Sequence, residues 1–226
     1  MINRTDLDKI DLFKALKPAT CLSIIQLAFK RDLSAGKELV SEGMSADHCY
    51  FLVTGHVRVL RISRDGRLQV LGRFGPGAPL NIIPLLVVNG VNQATIETLT
   101  PVSVLVLDTN GFKRLVSMHP DFSVMLLHNF AERMTRMTNL AAGLSFHSVR
   151  IRLARFLMEL ASQPYDAGGW TQDEIAAHIG TIRDIVGRLL REFEAKGLIK
   201  RNRQEITLLD RVGLLKEAEF GDNRTN

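Results

Sequence analysis

The sequence predicts an α+β chain in three regimes: a small sandwich or barrel of short strands, one long helix, and a C-terminal helix-turn-helix with a wing. Three observations carry this. Between residues 34 and 108 glycines punctuate short apolar runs; beyond His119-Pro120 the apolar period becomes helical; and residues 171–193 read as a capped helix, a glycine turn and a second amphipathic helix. The expected divisions are residues 1–118, 119–146 and 147–226.

In the first regime the clearest strands are residues 49–53 (CYFLV), 57–62 (VRVLRI), 68–74 (LQVLGRF) and 102–107 (VSVLVL). VRVLRI and VSVLVL alternate with period two, which predicts a sheet with one buried face. Asp65-Gly66 between two of these runs is a strong hairpin signal.

In the second regime Leu127, Phe130, Met134, Met137, Ala141 and Leu144 are spaced as the a and d positions of a heptad repeat. A helix packed on its own β domain would show a broader apolar face, so the narrow stripe favours a coiled-coil homodimer. Small Ala141 and the methionines suggest a seam that can slide.

The third regime opens with a helix over residues 147–162. Thr171 with Glu174 three positions later has the spacing of a capping box, and Gly180 stands where the chain must turn. A second helix is expected from about Ile182, with Ile182, Val186, Leu189 and Phe193 as its buried stripe. Arg183, Asp184, Gly187, Arg188 and Arg191 fall on the opposite face. Gly187 in the middle of that polar face suggests a helix that seats deeply. Arginine bonds guanine bidentately and a carboxylate accepts from cytosine, so Arg183, Asp184 and Arg188 are the candidate base readers. Asp184 and Arg188, at i and i+4, also have the spacing of an ordinary surface ion pair. Gly197 is the expected C-cap, and two short strands around Asn202 would form a basic wing, with Lys200 and Arg201 as phosphate contacts.

Composition narrows the alternatives. With 46% hydrophobic and 23% charged residues the chain has the makings of a packed core. The net charge of +5 is not itself a DNA signal, because residues 147–226 carry 13 Lys and Arg against 12 Asp and Glu. The basic character is concentrated in residues 181–203, with seven Lys and Arg against three acids, which makes a basic face and not a basic domain. No nucleophile elbow, P-loop or paired metal-ligand spacing is present, and the histidines are scattered singly, so an enzyme and a metal centre are not expected. The N-terminus lacks the apolar run of a secretory signal, and the apolar stretch at residues 79–88 is too short to span a bilayer. Two cysteines, Cys21 and Cys49, are too few for a disulfide framework and point to a reduced cytoplasm.

The segment TQDEIAAHIG-x-x-RD-x-VGR-x-L-x-x-x-E-x-x-GLI resembles the DNA-reading element of the cyclic AMP receptor protein/FNR (Crp/Fnr) family of bacterial transcription regulators, and the resemblance extends over nearly the whole chain. It implies a cyclic-nucleotide-binding-like β-roll (jelly roll) as sensor, a dimerisation helix and a winged helix-turn-helix. It also implies double-stranded DNA with a near-palindromic site as target, RNA polymerase as partner and a small-molecule effector. It carries DNA-reading roles onto Arg183, Asp184 and Arg188, and phosphate contacts onto Thr171 and Gln172. Ile182 stands where the archetype has a backbone-touching serine.

At the sensor the resemblance argues against cyclic AMP. Nucleotide-binding relatives carry G-x-x-x-G-E followed by an Arg-Ser pair. Here the matching stretch is Gly77-Ala-Pro-Leu80-Asn81-Ile82, and the later pair falls on Asn92-Gln93. Both the ribose partner and the phosphate's countercharge are missing. The archetype's Thr-Ser pair near the ligand falls on Met137-Thr138. The expected lining, Leu80, Ile82, Ile83, Leu85 and Leu86 with Met134 and Met137, would suit an apolar ligand or a haem, for which His48 and His56 are the first axial candidates. A redox sensor through Cys49 is a weaker alternative, since a cysteine in an apolar strand is usually inert. A ligand-binding module with a weak DNA-binding domain is the other alternative.

Overall fold

The computed structural model describes residues 2–63, 68–162, 170–202 and 206–220. The turn expected at residues 64–67 lies outside the described residues, as do residues 163–169, 203–205 and 221–226. The chain divides into two compact units, residues 1–66 with 71–133, and residues 134–226 with 67–70.

The N-terminal strands are β1 (Phe29–Leu33), β2 (Glu38–Val40), β3 (His48–Thr54), β4 (Val57–Ile62), β5 (Leu68–Phe74), β6 (Pro79–Leu80), β7 (Thr95–Thr98) and β8 (Val102–Asp108), all in the first unit but for the opening residues 68–70 of β5. They form two four-stranded sheets, ordered β1-β8-β3-β6 and β2-β7-β4-β5. Three helices, α1 (Arg4–Asp8), α2 (Pro18–Leu27) and α3 (Thr109–Met118), accompany the sheets, followed by the long α4 (Pro120–Phe146).

β8 corrects the expectation of one buried face: every residue from Val102 to Leu107 is buried. Its period of two survives, but both faces are covered. Val102, Val104 and Val106 join Leu39, Leu52, Val57 and Ile96 in one core. Leu105 and Leu107 point the other way, into a core with Phe13, Phe51, Phe112, Phe122 and Leu126 supplied largely by helices. A strand covered on both sides can be apolar throughout. β1, FKRDL, is almost wholly exposed and has no apolar pattern; its register with β8, Phe29↔Val106 to Leu33↔Val102, makes it a strand.

The start of α4 is anchored by polar contacts. Asp121 accepts from the Lys17 N–H at 2.8 Å and from the Thr20 hydroxyl at 2.8 Å. Burial pushes the Asp121 carboxyl up, but these donors outweigh it and hold the group below its usual range. Along α4, Leu127, Met134 and Met137 are 66%, 72% and 71% exposed, and Ala141 is exposed too. Phe130 departs from the expected stripe: it packs against the helical core. The Leu144 side chain lies outside the described residues.

The second unit continues with α5 (Val149–Ser162), α6 (Gln172–Ile179), α7 (Arg183–Ala195), the hairpin β9 (Ile199–Arg201) and β10 (Ile206–Leu208), and α8 (Arg211–Phe220). α8 is the last element of the unit. It closes over the core through Leu214 and Ala218. Among the described residues no helix is long and apolar enough to cross a membrane.

Candidate nucleic-acid interface

α6 begins as its sequence predicts. The Thr171 hydroxyl accepts from the Glu174 N–H, and the Glu174 carboxylate accepts from the Thr171 N–H at 3.0 Å. The Thr171 hydroxyl also donates to Glu174 at 3.0 Å, so the group expected at phosphate is already engaged inside the protein. Gly180 ends α6 at φ 70, ψ 53, a left-handed conformation for which glycine is suited, and Thr181 N–H donates to Ala176 at 2.8 Å.

One residue that sequence reasoning missed fixes this turn. The Arg152 guanidinium, from α5, donates to the Ile179 carbonyl and lies 3.4 Å from the Gly180 carbonyl. A cation at the C-terminal end of a helix satisfies carbonyls that the helix leaves open and complements its dipole. Burial depresses the Arg152 pKa. Arg152 and Ile179 are 27 residues apart, and no local pattern links them.

α7 follows with Val186, Leu189, Leu190 and Phe193 in the core. Each such side chain contributes about 1.5–3 kcal/mol by leaving water. Ile182 corrects the expected stripe: it is 62% exposed, because as N-cap it is extended (φ −108, ψ 154) and off the helical wheel. Gly187 is a second correction, since it is buried and not on the open face. A Cβ there would lie 2.9 Å from the Gln172 side-chain oxygen, so the glycine admits the start of α6. Gln172 is thereby half-buried against α7.

The remaining predicted readers, Arg183, Asp184 and Arg188, are exposed, with Arg191 beside them. Asp184 and Arg188 form no ion pair with each other. Arg183 instead meets Asp173 of α6 at 3.3 Å.

In the wing, Lys200 is exposed opposite Thr207. Arg201 is committed elsewhere: its guanidinium donates to Glu194 of α7 at 2.6 and 2.8 Å, and its backbone N–H donates to the same carboxylate at 2.9 Å. Behind α7, Arg150 binds Glu192 and Glu217, each at 2.6 Å, and lies over the Phe193 ring. The Trp170, Phe156 and His178 rings cluster with centroids 4.9–5.2 Å apart, and burial holds the His178 imidazole below its usual pKa.

Of the expected sensor residues of the first unit, Asn81 and Asn92 meet each other directly. Leu80 and Ile82 are 1% exposed and belong to different cores. Between them Asn81, at φ 56, donates to the His48 carbonyl at 2.9 Å and to the Asn92 side-chain oxygen at 2.8 Å. Asn92 is buried and donates to the Ser41 carbonyl at 3.0 Å. The two amides thus bind each other and the backbone where a nucleotide site would need a cation, and they do not fit a cyclic phosphate. Ile83 and Leu86 are 43% and 49% exposed, and Leu85 is buried. Gln93 is exposed. Met134, Met137 and Thr138 belong to the second unit, where Thr138 donates to the Met134 carbonyl at 3.0 Å.

His48 lies edge-on to Phe29, and His56 buries its Nε2 without a hydrogen-bond partner. His48 opens β3, and His56 lies between the end of β3 and the start of β4. Burial pushes the Cys49 thiol far up, as expected of an inert cysteine.

Residues 30–119 match the cyclic nucleotide-binding domain and residues 151–217 the Crp-like helix-turn-helix domain. The chain is 26% identical over 220 residues to a CRP-like cAMP-activated global transcriptional regulator of Mycobacterium tuberculosis, covering 94% of this chain and 98% of that protein. It is 28% identical over 178 residues to the cAMP-activated global transcriptional regulator CRP of Salmonella typhimurium, covering 75% of this chain and 84% of the relative. Among solved structures, a CRP-family transcriptional regulator from Thermus thermophilus superposes with a TM-score of 0.70 at 27% identity, covering 83% of this chain and 96% of the other.

Proposed function

The chain belongs to the Crp/Fnr family of transcription regulators, and from that premise we propose that it acts in the cytoplasm as a homodimer on a near-palindromic DNA site, without responding to cyclic AMP. The observation that carries the reading is α7, which turns Arg183, Asp184 and Arg188 outward from a buried Val186, Leu189 and Phe193. Lys200 serves the phosphates from the wing. Gln172, held against Gly187, lies beside α7, whereas Thr171 and Arg201 reach DNA only by giving up the partners they have. The exposed Leu127, Met134 and Met137 support a two-fold seam along α4, which sets half-sites about one helical turn, roughly 34 Å, apart. RNA polymerase is the partner such a regulator addresses, and the effector is a small molecule other than cyclic AMP.

Selection from a random duplex library, followed by gel shift, tests this. A two-fold symmetric consensus is expected. Arg188→Ala should weaken the enriched site by about 1–3 kcal/mol and relax one base pair per half-site. Lys200→Ala should weaken all sequences alike and lower the salt slope by about one. Equal losses on enriched and random DNA for Arg188→Ala would refute base reading.

A further inference from the structure

Of the three arginines that α7 exposes, Arg183, Arg188 and Arg191, only Arg183 has an acidic partner among the described residues. That partner, Asp173, comes from another helix and stands in the first turn of α6. The pair contrasts with the ion pairs that hold this unit together. Arg150 and Glu217 are 20% and 15% exposed, and Arg201 and Glu194 tie the wing to α7. Arg183 and Asp173 are 64% and 65% exposed at 3.3 Å, open to water and weak. The pair is poor as a fold constraint and well placed to be broken.

The Asp173 carboxylate also copies a DNA phosphate in charge and setting. It is an anion at the N-terminal turn of α6, where helix polarity favours one, and it lies within reach of a guanidinium meant for DNA. We infer that Asp173 is an internal competitor of DNA for Arg183, holding this side chain until the duplex displaces it. This rests on the reading of α7 as the DNA-reading helix. Two effects follow. Arg183 enters the complex only by losing its carboxylate, and the released carboxylate then faces the polyanion. Arg183 and Asp173 together bring no net charge to the interface, so Asp173 weakens binding and flattens its salt dependence.

The test uses the full-length protein on its library-enriched duplex and on a random duplex, with anisotropy read from about 50 to 200 mM salt. Asp173→Asn keeps the side-chain size and removes the charge. It should tighten binding by about two- to fivefold, the yield of freeing one exposed ion pair, and steepen the logarithmic salt slope by about one. Asp173→Glu should bind as the wild type does. In an Arg183→Ala background, Asp173→Asn should tighten binding by less than half as much. A role only in starting α6 would give the opposite sign, with a less stable protein that binds no better. Unchanged or weaker binding by a folded Asp173→Asn protein would overturn the inference. Equal tightening with and without Arg183 would also overturn it, since the carboxylate would then act on phosphates alone. Wild-type protein that binds neither duplex at low salt would overturn the DNA-binding reading as well, before any variant is compared.

Discussion

Replacing Gly187 with alanine separates stability from DNA binding. Glycine inside a helix is about 1 kcal/mol worse than alanine, so the substitution favours α7 by that amount. Against this stands the Gln172 side-chain oxygen, 2.9 Å from the new methyl, with the Gln172 carboxamide carbon at 3.7 Å and Arg191 at 3.9 Å. These atoms are the far ends of flexible side chains, and moving one off its rotamer costs about 0.5–1.5 kcal/mol. The two effects nearly cancel, and stability should change by less than about 0.5 kcal/mol. The chain's single tryptophan, Trp170, packs against Phe156 and His178, so its fluorescence during denaturant unfolding reports this unit. DNA binding should respond differently, because Gln172 leaves the position α7 gives it. A lost hydrogen bond of about 1 kcal/mol weakens binding by about fivefold. A loss of stability above about 2 kcal/mol would show that α6 cannot yield at this crossing. Unchanged stability with unchanged DNA affinity would show that the seat of Gln172 does not matter to recognition.

Arg152→Ala leaves the Ile179 carbonyl without its charged donor and should destabilise the same unit by about 1.5–3 kcal/mol, read again by Trp170; a shift below about 0.5 kcal/mol would dismiss Arg152 as the anchor of the turn. Leu127→Glu combined with Met134→Glu should turn a sedimenting dimer into monomer while leaving helix content unchanged, because the seam would bury like charges; a dimer that persists would place the interface elsewhere. Calorimetry at millimolar cyclic AMP should give no heat, because Asn81 and Asn92 offer a phosphate amides, which donate hydrogen bonds but carry no charge; saturable binding at micromolar nucleotide would overturn this.

The parts of the fold legible in the sequence are those set by neighbours along the chain. The Thr171–Glu174 capping box, Gly180 and the Val186-Leu189-Phe193 spacing obey rules that act over one or two helical turns, and the helix-turn-helix was readable from them. Of the heptad stripe, Leu127, Met134, Met137 and Ala141 are exposed, whereas Phe130 is taken by the helical core. What escaped depends on distant partners. Ile182 left the expected stripe because a helical wheel does not know where its first turn begins. Gly187 looked like a surface feature because its neighbour, Gln172, belongs to another helix. β1 has no pattern of its own and exists through β8. In the sensor, Asn81 and Asn92 were picked out as replacements for charged residues. That they would bond to each other, and to the carbonyls of His48 and Ser41, is a matter of tertiary geometry that the linear sequence does not carry.

β8 has a consequence for how the first unit comes apart. Its odd-numbered leucines lie in the helical core and its valines in the core between the sheets, so neither core can open while the other keeps its grip on the strand. The two cores should therefore melt as one cooperative block. Amide protons of β8 and of its partner β3 should be among the slowest in the unit to exchange with deuterium, and at a rate set by global opening. Leu105→Ala and Val104→Ala, adjacent in sequence but in different cores, should lower that common protection together, whereas β1 on the exposed edge should exchange by local fraying.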